Sequence, residues 1–163
     1  MTWESDMPLE VGTQAPAFAL KDSDRNDVSL SDYSGKTVVL SFYPAAFSGV
    51  CDTEACTFRD SLSELNAANA DVVGIAVDNF FVAKEFKTKH NLNFPILVDH
   101  TAATAKAYDT AIENFAGMDG YTAANRTVYV VDGSGTIQFV WRGENPGIEP
   151  DYDAVKAAVN SLN

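Results

Sequence analysis

The run TVVLSFY at residues 37–43 constrains the fold of this chain more than any other feature of its sequence. It is almost continuously apolar, rich in β-branched and aromatic residues, and bounded by Gly35 and Pro44. Such a run is typical of a strand that is buried on both faces of a sheet. A second run of this kind, DVVGIAV at 71–77, follows a segment with apolar residues at helical spacing. Two buried strands joined by a helix predict an α/β domain.

The rest of the chain continues this alternation. The turn sequence Asp-Gly-Ser-Gly at 132–135 lies between two β-rich runs and is a strong hairpin signal. Asp151 or Asp153 is placed to cap a final helix. The predicted elements are strands at 16–20 and 28–30 around a polar turn at 21–27, a strand at 37–43, a helix at 50–68, a strand at 71–77, a helix at 79–90, a short strand at 94–98, a helix at 101–108, strands at 127–131 and 136–141, and a helix at 152–162.

This order predicts a single α/β domain over residues 1–163, with a central mixed sheet flanked by helices and a small hairpin near the N-terminus. No repeat, low-complexity tract or linker divides the chain. Four aromatic residues are expected in the core of this domain: Phe80, Phe81, Phe86 and Phe94.

The charge balance excludes several classes of function. Lys and Arg total 11 against 23 Asp and Glu, which gives a net charge of −12. A chain this acidic repels nucleic-acid phosphates and anionic lipid heads, so we expect no nucleic-acid and no membrane partner. No apolar run approaches the roughly 20 residues of a membrane span. The start, MTWESDMPLEVG, lacks the basic and apolar segments of a signal peptide, and we therefore expect a cytoplasmic protein.

The kind of charged residue also points to a habitat. Fifteen of the acidic residues are Asp, and only seven residues are Lys. This balance is typical of proteins from extreme halophiles, whose carboxylates retain water in concentrated salt that screens their repulsion.

The two cysteines, Cys51 and Cys56, follow the strand predicted at 37–43. Two buried thiols that pack as small hydrophobic side chains are the plainest interpretation. Cys51, however, falls in the first turn of a predicted helix at the carboxyl end of a central strand, where α/β sheets bind their ligands. A free thiol is only about 3% ionised at pH 7, and the N–H groups and positive dipole of a helix N-terminus favour the reactive thiolate. This position therefore favours a reactive sulfur at residue 51.

The spacing of the cysteines limits how they can pair. Residues i and i+5 of an ideal helix lie about 8–9 Å apart at Cα, whereas a disulfide needs less than about 7 Å. Cys51 and Cys56 therefore cannot join unless the first turn of the helix unwinds. A bond that forces such a change is labile, which suits catalysis better than scaffolding.

The residues around these cysteines resemble a known family. Residues 44–51 carry Pro-x-x-x-Ser-x-x-Cys, which resembles the Pro-x-x-x-Thr/Ser-x-x-Cys signature of the peroxiredoxins. The continuation CDTEACTFRD at 51–60 is similar to Cys-Thr-x-Glu-Ala-Cys-x-Phe-Arg-Asp of the Q type, the bacterioferritin comigratory proteins. The segments 12–20, 29–36 and 126–132 extend the resemblance over about residues 8–162. The Ala-Ala-Phe insert before Ser48 looks more like the alkyl hydroperoxide reductase E class, some members of which use one cysteine and an external thiol.

The resemblance implies a thioredoxin-like fold and reduction of hydrogen peroxide or organic hydroperoxides. Cys51 matches the peroxidatic thiolate, which becomes a sulfenic acid. Cys56 matches the resolving thiol of the Q type, which forms an intramolecular disulfide that thioredoxin or a similar dithiol reduces. No metal, haem or flavin is implied, because sulfur carries the electrons. A monomer or a homodimer is expected.

Three further residues match the family's active site. Arg126 matches an arginine that stabilises the thiolate and donates to the peroxide oxygens. Ser48 matches the hydroxyl that bridges peroxide and sulfur, and Pro44 matches the proline that shields the pocket. Glu54 is expected to orient an arginine, either Arg126 or Arg59, or else to be an acid favoured by the helix dipole.

Other interpretations of the same residues have less support. Cys51, Cys56, His90 and His100 contain zinc-binding atoms but lack the usual paired spacings. His90 is expected at a helix end, where its charge suits the dipole, and His100 at a turn. A non-enzymatic thioredoxin-like binding or chaperone module stays open, whereas a general disulfide reductase is disfavoured because the chain has no C-x-x-C.

Overall fold

A seven-stranded mixed sheet organises residues 7–162, the part of the chain that this computed structural model describes. The strands are Ala19–Asp22 (β1), Asp27–Ser29 (β2), Thr37–Phe42 (β3), Ala70–Ala76 (β4), Ile96–Val98 (β5), Ala111–Ile112 (β6), Ala123–Ala124 (β7), Thr127–Val131 (β8) and Ile137–Arg142 (β9). The order of strands in the main sheet is β2-β1-β5-β4-β3-β8-β9, and β6 and β7 form a separate two-stranded sheet.

Four α-helices connect and cover these strands. They are Gly49–Ala67 (α1), Phe80–Lys89 (α2), Ala103–Ala107 (α3) and Tyr152–Ser161 (α4). Short 3-10 turns occur at Leu30–Tyr33 and Phe115–Gly117. Over residues 7–162, no helix combines the length and the apolar character that crossing a bilayer requires.

Apolar side chains pack on both faces of the sheet. Val39, Val128 and Val130 pack with α1, α2 and α4 on one face. Leu40 and Tyr129 belong to a second cluster on the other face, which includes residues of α3. All six residues of β3 are buried, because this strand lies between β4 and β8 and is covered on both sides. The predicted central mixed sheet flanked by helices is thereby confirmed.

The sheet topology brings two distant parts of the chain together. β3 is parallel to β4 and antiparallel to β8, and Phe42 at the end of β3 is opposite Thr127 at the start of β8. Arg126 precedes β8 directly, so it lies at the carboxyl end of β3. Alternation along the strand places its side chain on the same face as Val128, the face that α1 covers.

The N-terminal hairpin is shifted from its predicted position. We expected a strand at 16–20 and a polar turn at 21–27, but β1 begins at Ala19 and runs into that turn. The Asp22 carboxylate accepts hydrogen bonds from the backbone N–H groups of Asp24 and Asn26 and so closes a shorter turn. The hairpin extends the main sheet, since β1 pairs with β5 in antiparallel orientation.

Two helical predictions also need correction. The helix expected at 101–108 is shorter than predicted and comprises only Ala103–Ala107 (α3), because Ala102 adopts a left-handed conformation with φ of 60°. Phe81 is 70% exposed rather than part of the core, because neighbouring residues of a helix are about 100° apart and only one face of α2 is buried. Of the two candidate caps of α4, it is Asp151 that accepts the hydrogen bond, from the N–H of Ala154 at 3.0 Å.

Candidate active site

Cys51 lies in the first turn of α1, as predicted. Ser48 caps this helix, because its hydroxyl oxygen accepts a hydrogen bond from the Cys51 backbone N–H at 3.3 Å. The Cys51 side chain is buried, with 1% exposure. A helix N-terminus carries N–H groups without helical partners and a partial positive charge, so this position stabilises an anionic sulfur.

Arg126, the residue directly before β8, contacts the same sulfur. Its Nη2 donates a hydrogen bond to Cys51 Sγ at 3.1 Å, and its Nε donates to the carbonyl oxygen of Pro146 at 2.9 Å. Its Nη1 lies 3.7 Å from Glu54 Oε1. The arginine is itself 2% exposed, and electrostatic interactions are stronger in such a water-poor environment than at the surface.

Glu54 is the buried acid of the site. Its Oε1 accepts a hydrogen bond from Ser41 Oγ at 2.8 Å. Burial raises the pKa of Glu54 to about 7, against the opposing influence of Arg126 and then of Ser41. Of the two arginines that Glu54 was expected to orient, Arg126 is the one beside it. Arg59 instead pairs with Asp60, with Nε and Oδ1 2.9 Å apart.

The loop between β3 and α1 is held from two sides. Pro44, two residues after the end of β3, is buried, and the Ala46 N–H donates to Asp78 Oδ2 at 2.7 Å. Burial raises the pKa of Asp78, and the Ala46 hydrogen bond opposes this effect. Phe47 has a φ of 66°, an unfavourable conformation for a bulky residue, and it packs edge-on against Phe86 with ring centroids 5.4 Å apart. These contacts fix the loop that leads into the helix cap.

The second cysteine lies farther along the same helix. Both Cys51 and Cys56 are free thiols, and Cys56 is partly exposed. α1 runs without interruption past both residues. That a disulfide between them requires unwinding of α1 stays a prediction, supported by this unbroken helix.

Three residues, here called the α1–α2 clasp, join α1 to the end of α2: Asp52, Arg59 and His90. His90 caps the C-terminus of α2, and its Nε2 lies 3.0 Å from Asp52 Oδ2. Arg59 Nη1 donates to the His90 carbonyl oxygen at 2.6 Å.

His100 is exposed in a turn after β5. Across the described residues, no group of three or more His, Cys, Asp or Glu side chains is placed to hold a metal ion.

Sequence reasoning missed several parts of this site. Asp78 follows β4 at the same sheet edge as the end of β3, and that position was a usable signal. The contact between Asp52 and His90 joins residues 38 positions apart, and no local sequence pattern predicts that they meet. The sequence does not predict that the Pro146 carbonyl bonds to Arg126, because every residue has a carbonyl group.

The fold and the site together define a class of protein. A thiol is buried at the end of a central strand, under a helix N-terminus and against a guanidinium, in a thioredoxin-like α/β fold. This arrangement is that of proteins with a reactive cysteine.

Comparison with known proteins identifies the family. The model of the AhpC/TSA family matches residues 11–140, and the chain belongs to this family. Peroxiredoxin Bcp of Bacillus subtilis is 38% identical over 138 residues, which cover 83% of this chain and 87% of that protein. The chloroplastic peroxiredoxin Q of Oryza sativa subsp. japonica is 37% identical over 133 residues. These residues cover 82% of this chain and 59% of the rice protein, so the match spans less than two thirds of that relative's length.

Solved structures agree with the sequence relatives. The crystal structure of peroxidoxin BcpB from Mycobacterium tuberculosis superposes with a TM-score of 0.85 at 27% identity, covering 95% of this chain and 99% of that one. The predicted thioredoxin-like fold and the resemblance to Q-type peroxiredoxins are thereby confirmed.

Proposed function

We propose that this chain is a thiol-dependent peroxidase that reduces hydrogen peroxide and organic hydroperoxides, with Cys51 as the attacking thiolate. The observation that carries the proposal is the 3.1 Å hydrogen bond from Arg126 Nη2 to the buried Cys51 sulfur. A charged donor that cannot lose its proton stabilises a thiolate more than a thiol. The names of its relatives, which are peroxiredoxins, support the same reaction.

In the proposed reaction the Cys51 thiolate attacks one peroxide oxygen with its electron pair, and the O–O bond breaks. The sulfur becomes a sulfenic acid, and the other oxygen leaves as alkoxide or hydroxide and takes up a proton. Negative charge therefore moves from sulfur to the leaving oxygen. Arg126 is placed to stabilise that charge as it moves, because its Nη2 already donates a hydrogen bond to the sulfur.

Ser48 and Pro44 complete the proposed site. The Ser48 oxygen accepts the Cys51 N–H bond with one lone pair, which leaves its own proton free to donate and its second lone pair free to accept. A hydroxyl held this way serves as helix cap and as a bridge between peroxide and sulfur. Pro44 is buried after β3 and has no N–H group that would need a partner in the pocket.

Cys56 is the proposed resolving thiol. Its sulfur attacks the sulfenic sulfur of Cys51, the S–S bond forms as the S–O bond breaks, and the leaving hydroxide takes the proton of the Cys56 thiol to become water. This step requires the first turn of α1 to unwind, which breaks the Ser48 cap and the contact between Asp52 and His90. A dithiol such as thioredoxin then reduces the disulfide by exchange and is itself oxidised.

We further propose a single domain that works in the cytoplasm, as a monomer or a homodimer. The support is chemical, since a disulfide formed in each cycle needs a compartment whose dithiols are kept reduced. Peroxide and a reduced dithiol are then the two partners of the cycle.

The test measures peroxide consumption by the reduced protein in rapid-mixing experiments. Wild type should consume peroxide and lose two thiols per molecule, and Cys51→Ser should do neither. Cys56→Ser should still form the sulfenic acid but stop turning over with thioredoxin. Full turnover by Cys56→Ser would show that an external thiol resolves the intermediate. Peroxide consumption by Cys51→Ser at the wild-type rate would refute the assignment of Cys51.

A further inference from the structure

Arg126 is oriented by few contacts for a buried cation. Within residues 7–162 its guanidinium makes two hydrogen bonds, one to Cys51 Sγ and one to the Pro146 carbonyl oxygen. Its Nη1 is buried without a hydrogen-bond partner there, and Glu54 Oε1 is 3.7 Å away. Because a guanidinium is planar and rigid, the bond at Nε fixes the direction in which Nη2 points. The Pro146 carbonyl is therefore the contact that aims Arg126 at the sulfur.

That carbonyl lies in a turn between β9 and α4 that Asn145 closes with its side chain and its backbone carbonyl. Asn145 Oδ1 accepts a hydrogen bond from the Gly147 N–H at 2.9 Å. The Asn145 carbonyl oxygen accepts a second bond, from the Ile148 N–H at 3.3 Å. Both bonds span Pro146, whose ring already fixes its φ. Pro146 is thus enclosed by bonded neighbours, and its carbonyl has little freedom to rotate away from Arg126.

We propose that Asn145 is a positioning residue for peroxide reduction: its side chain holds the Pro146 carbonyl against Arg126 Nε, and this bond aims Nη2 at Cys51. The proposal rests on the peroxidase function proposed above. Asn145 does not touch the sulfur, and it acts through the turn and through Arg126. When the side-chain acceptor of Asn145 is lost, the Gly147 N–H donates to water instead and the Pro146 carbonyl rotates. Arg126 Nε then loses the acceptor that fixes the orientation of the guanidinium.

The test compares substitutions that keep or remove the acceptor. Asn145→Asp keeps an oxygen that can accept from Gly147 N–H, Asn145→Ser keeps a shorter one, and Asn145→Ala has none. Asn160→Ala, at an exposed position of α4, is the matched control. Two quantities are measured: the second-order rate of Cys51 oxidation by hydrogen peroxide, and the thiolate absorbance at neutral pH in a Cys56→Ser background. Thermal melting of each variant reports folding.

Asn145→Ala should lose about fivefold in rate, the effect of one net hydrogen bond, and should show less thiolate. Asn145→Asp should recover both quantities to within about twofold, Asn145→Ser should lie between them, and Asn160→Ala should match wild type. Wild-type rate and thiolate in Asn145→Ala overturn the proposal. If Asn145→Ala does not fold, equal losses in the Asp and Ser variants overturn it. The thiolate measurement needs no peroxide, so it tests Asn145 even if wild type proves inactive as a peroxidase.

Discussion

At the scale of single residues, the site depends on the shape of a guanidinium as well as on its charge. Arg126 donates to a sulfur through one nitrogen and to a backbone carbonyl through another. A lysine ammonium would bring the same charge at a single point and could not hold both directions at once. The substitution that keeps the charge therefore tests the geometry.

We expect Arg126→Lys to reduce the rate of Cys51 oxidation by peroxide about 100-fold, the usual effect of losing one donor aimed at developing charge. Rapid-mixing kinetics under single-turnover conditions provide the measurement. Arg25→Lys, at an exposed position of the β1–β2 turn, serves as the control and should react like wild type. A rate for Arg126→Lys within a few-fold of wild type would mean that charge alone is sufficient.

Glu54 should make stability depend on pH. Burial raises its pKa from 4.5 to about 7, so between these values the folded protein holds a proton that the unfolded chain has released. This contribution to stability is fully present below about 4.5 and is lost as the pH rises through about 7. Arg126, Ser41 and Glu149 are the other groups that influence this carboxyl group.

We therefore expect the melting temperature of wild type to fall more steeply than that of Glu54→Gln as the pH rises across this window, because an amide does not titrate. Calorimetry over a pH series provides the measurement, with the exposed Glu85→Gln as control. If the melting temperatures of wild type and Glu54→Gln changed with pH in parallel, that result would contradict the buried, protonated carboxyl group.

At the scale of elements, the proposed reaction cycle needs two conformations of α1. Its intact first turn holds Cys51 beside Arg126, but the proposed disulfide with Cys56 needs that turn to open. The α1–α2 clasp opposes opening, since Asp52 moves with the first turn while His90 stays on α2. The strength of the clasp should therefore set how quickly the sulfenic acid is resolved.

We expect Asp52→Asn to speed disulfide formation after peroxide addition by about two- to threefold, because a partly exposed contact between a carboxylate and an imidazole contributes less than about 1 kcal/mol. Quenched-flow counting of free thiols measures this step separately from sulfenic acid formation. Asp153→Asn removes a first-turn acid from α4 instead and is the matched control. A slower or unchanged disulfide step in Asp52→Asn would show that the clasp does not restrain α1.

At the scale of the whole molecule, the acidic surface should make stability depend on salt. The net charge of −12 means that acidic side chains repel one another in dilute buffer. Ions screen that repulsion once the Debye length falls to a few ångströms, at about 1 M salt. The acidic residues are spread over the chain rather than gathered in one segment, so the effect should belong to global unfolding.

The melting temperature should accordingly rise steadily with KCl concentration. Sucrose at matched osmotic strength does not screen charge and should not reproduce the whole increase. Equal stability in dilute buffer and in concentrated KCl would contradict the interpretation of this composition as halophilic.

Much of this structure could be predicted from local patterns. The buried strand β3, the helix after it and the position of Cys51 all follow from periodicity and from Gly35 and Pro44. Alternation along β8 is enough to place Arg126 on the same face as Val128. The hairpin β8–β9 follows from its turn sequence. These features are encoded by residues close together in the chain.

The remaining features depend on contacts between distant residues. Phe80 and Phe81 are both aromatic, and only packing decides which of them is exposed. The strands β6 and β7 have two residues each, too few to show a period. The bond between Arg126 and Pro146 involves a backbone atom, whose direction follows from the turn around it rather than from the residue type.

The position of β2 at the far edge of the sheet has a practical consequence. Four strand spacings separate it from β3, about 19 Å across the sheet. An affinity tag or fluorescent reporter grafted between Arg25 and Asn26, in the exposed turn, would sit remote from the Cys51 sulfur. The same graft in the loop before α4 would interrupt the chain next to Pro146, so the edge hairpin is the place to build a labelled version for imaging.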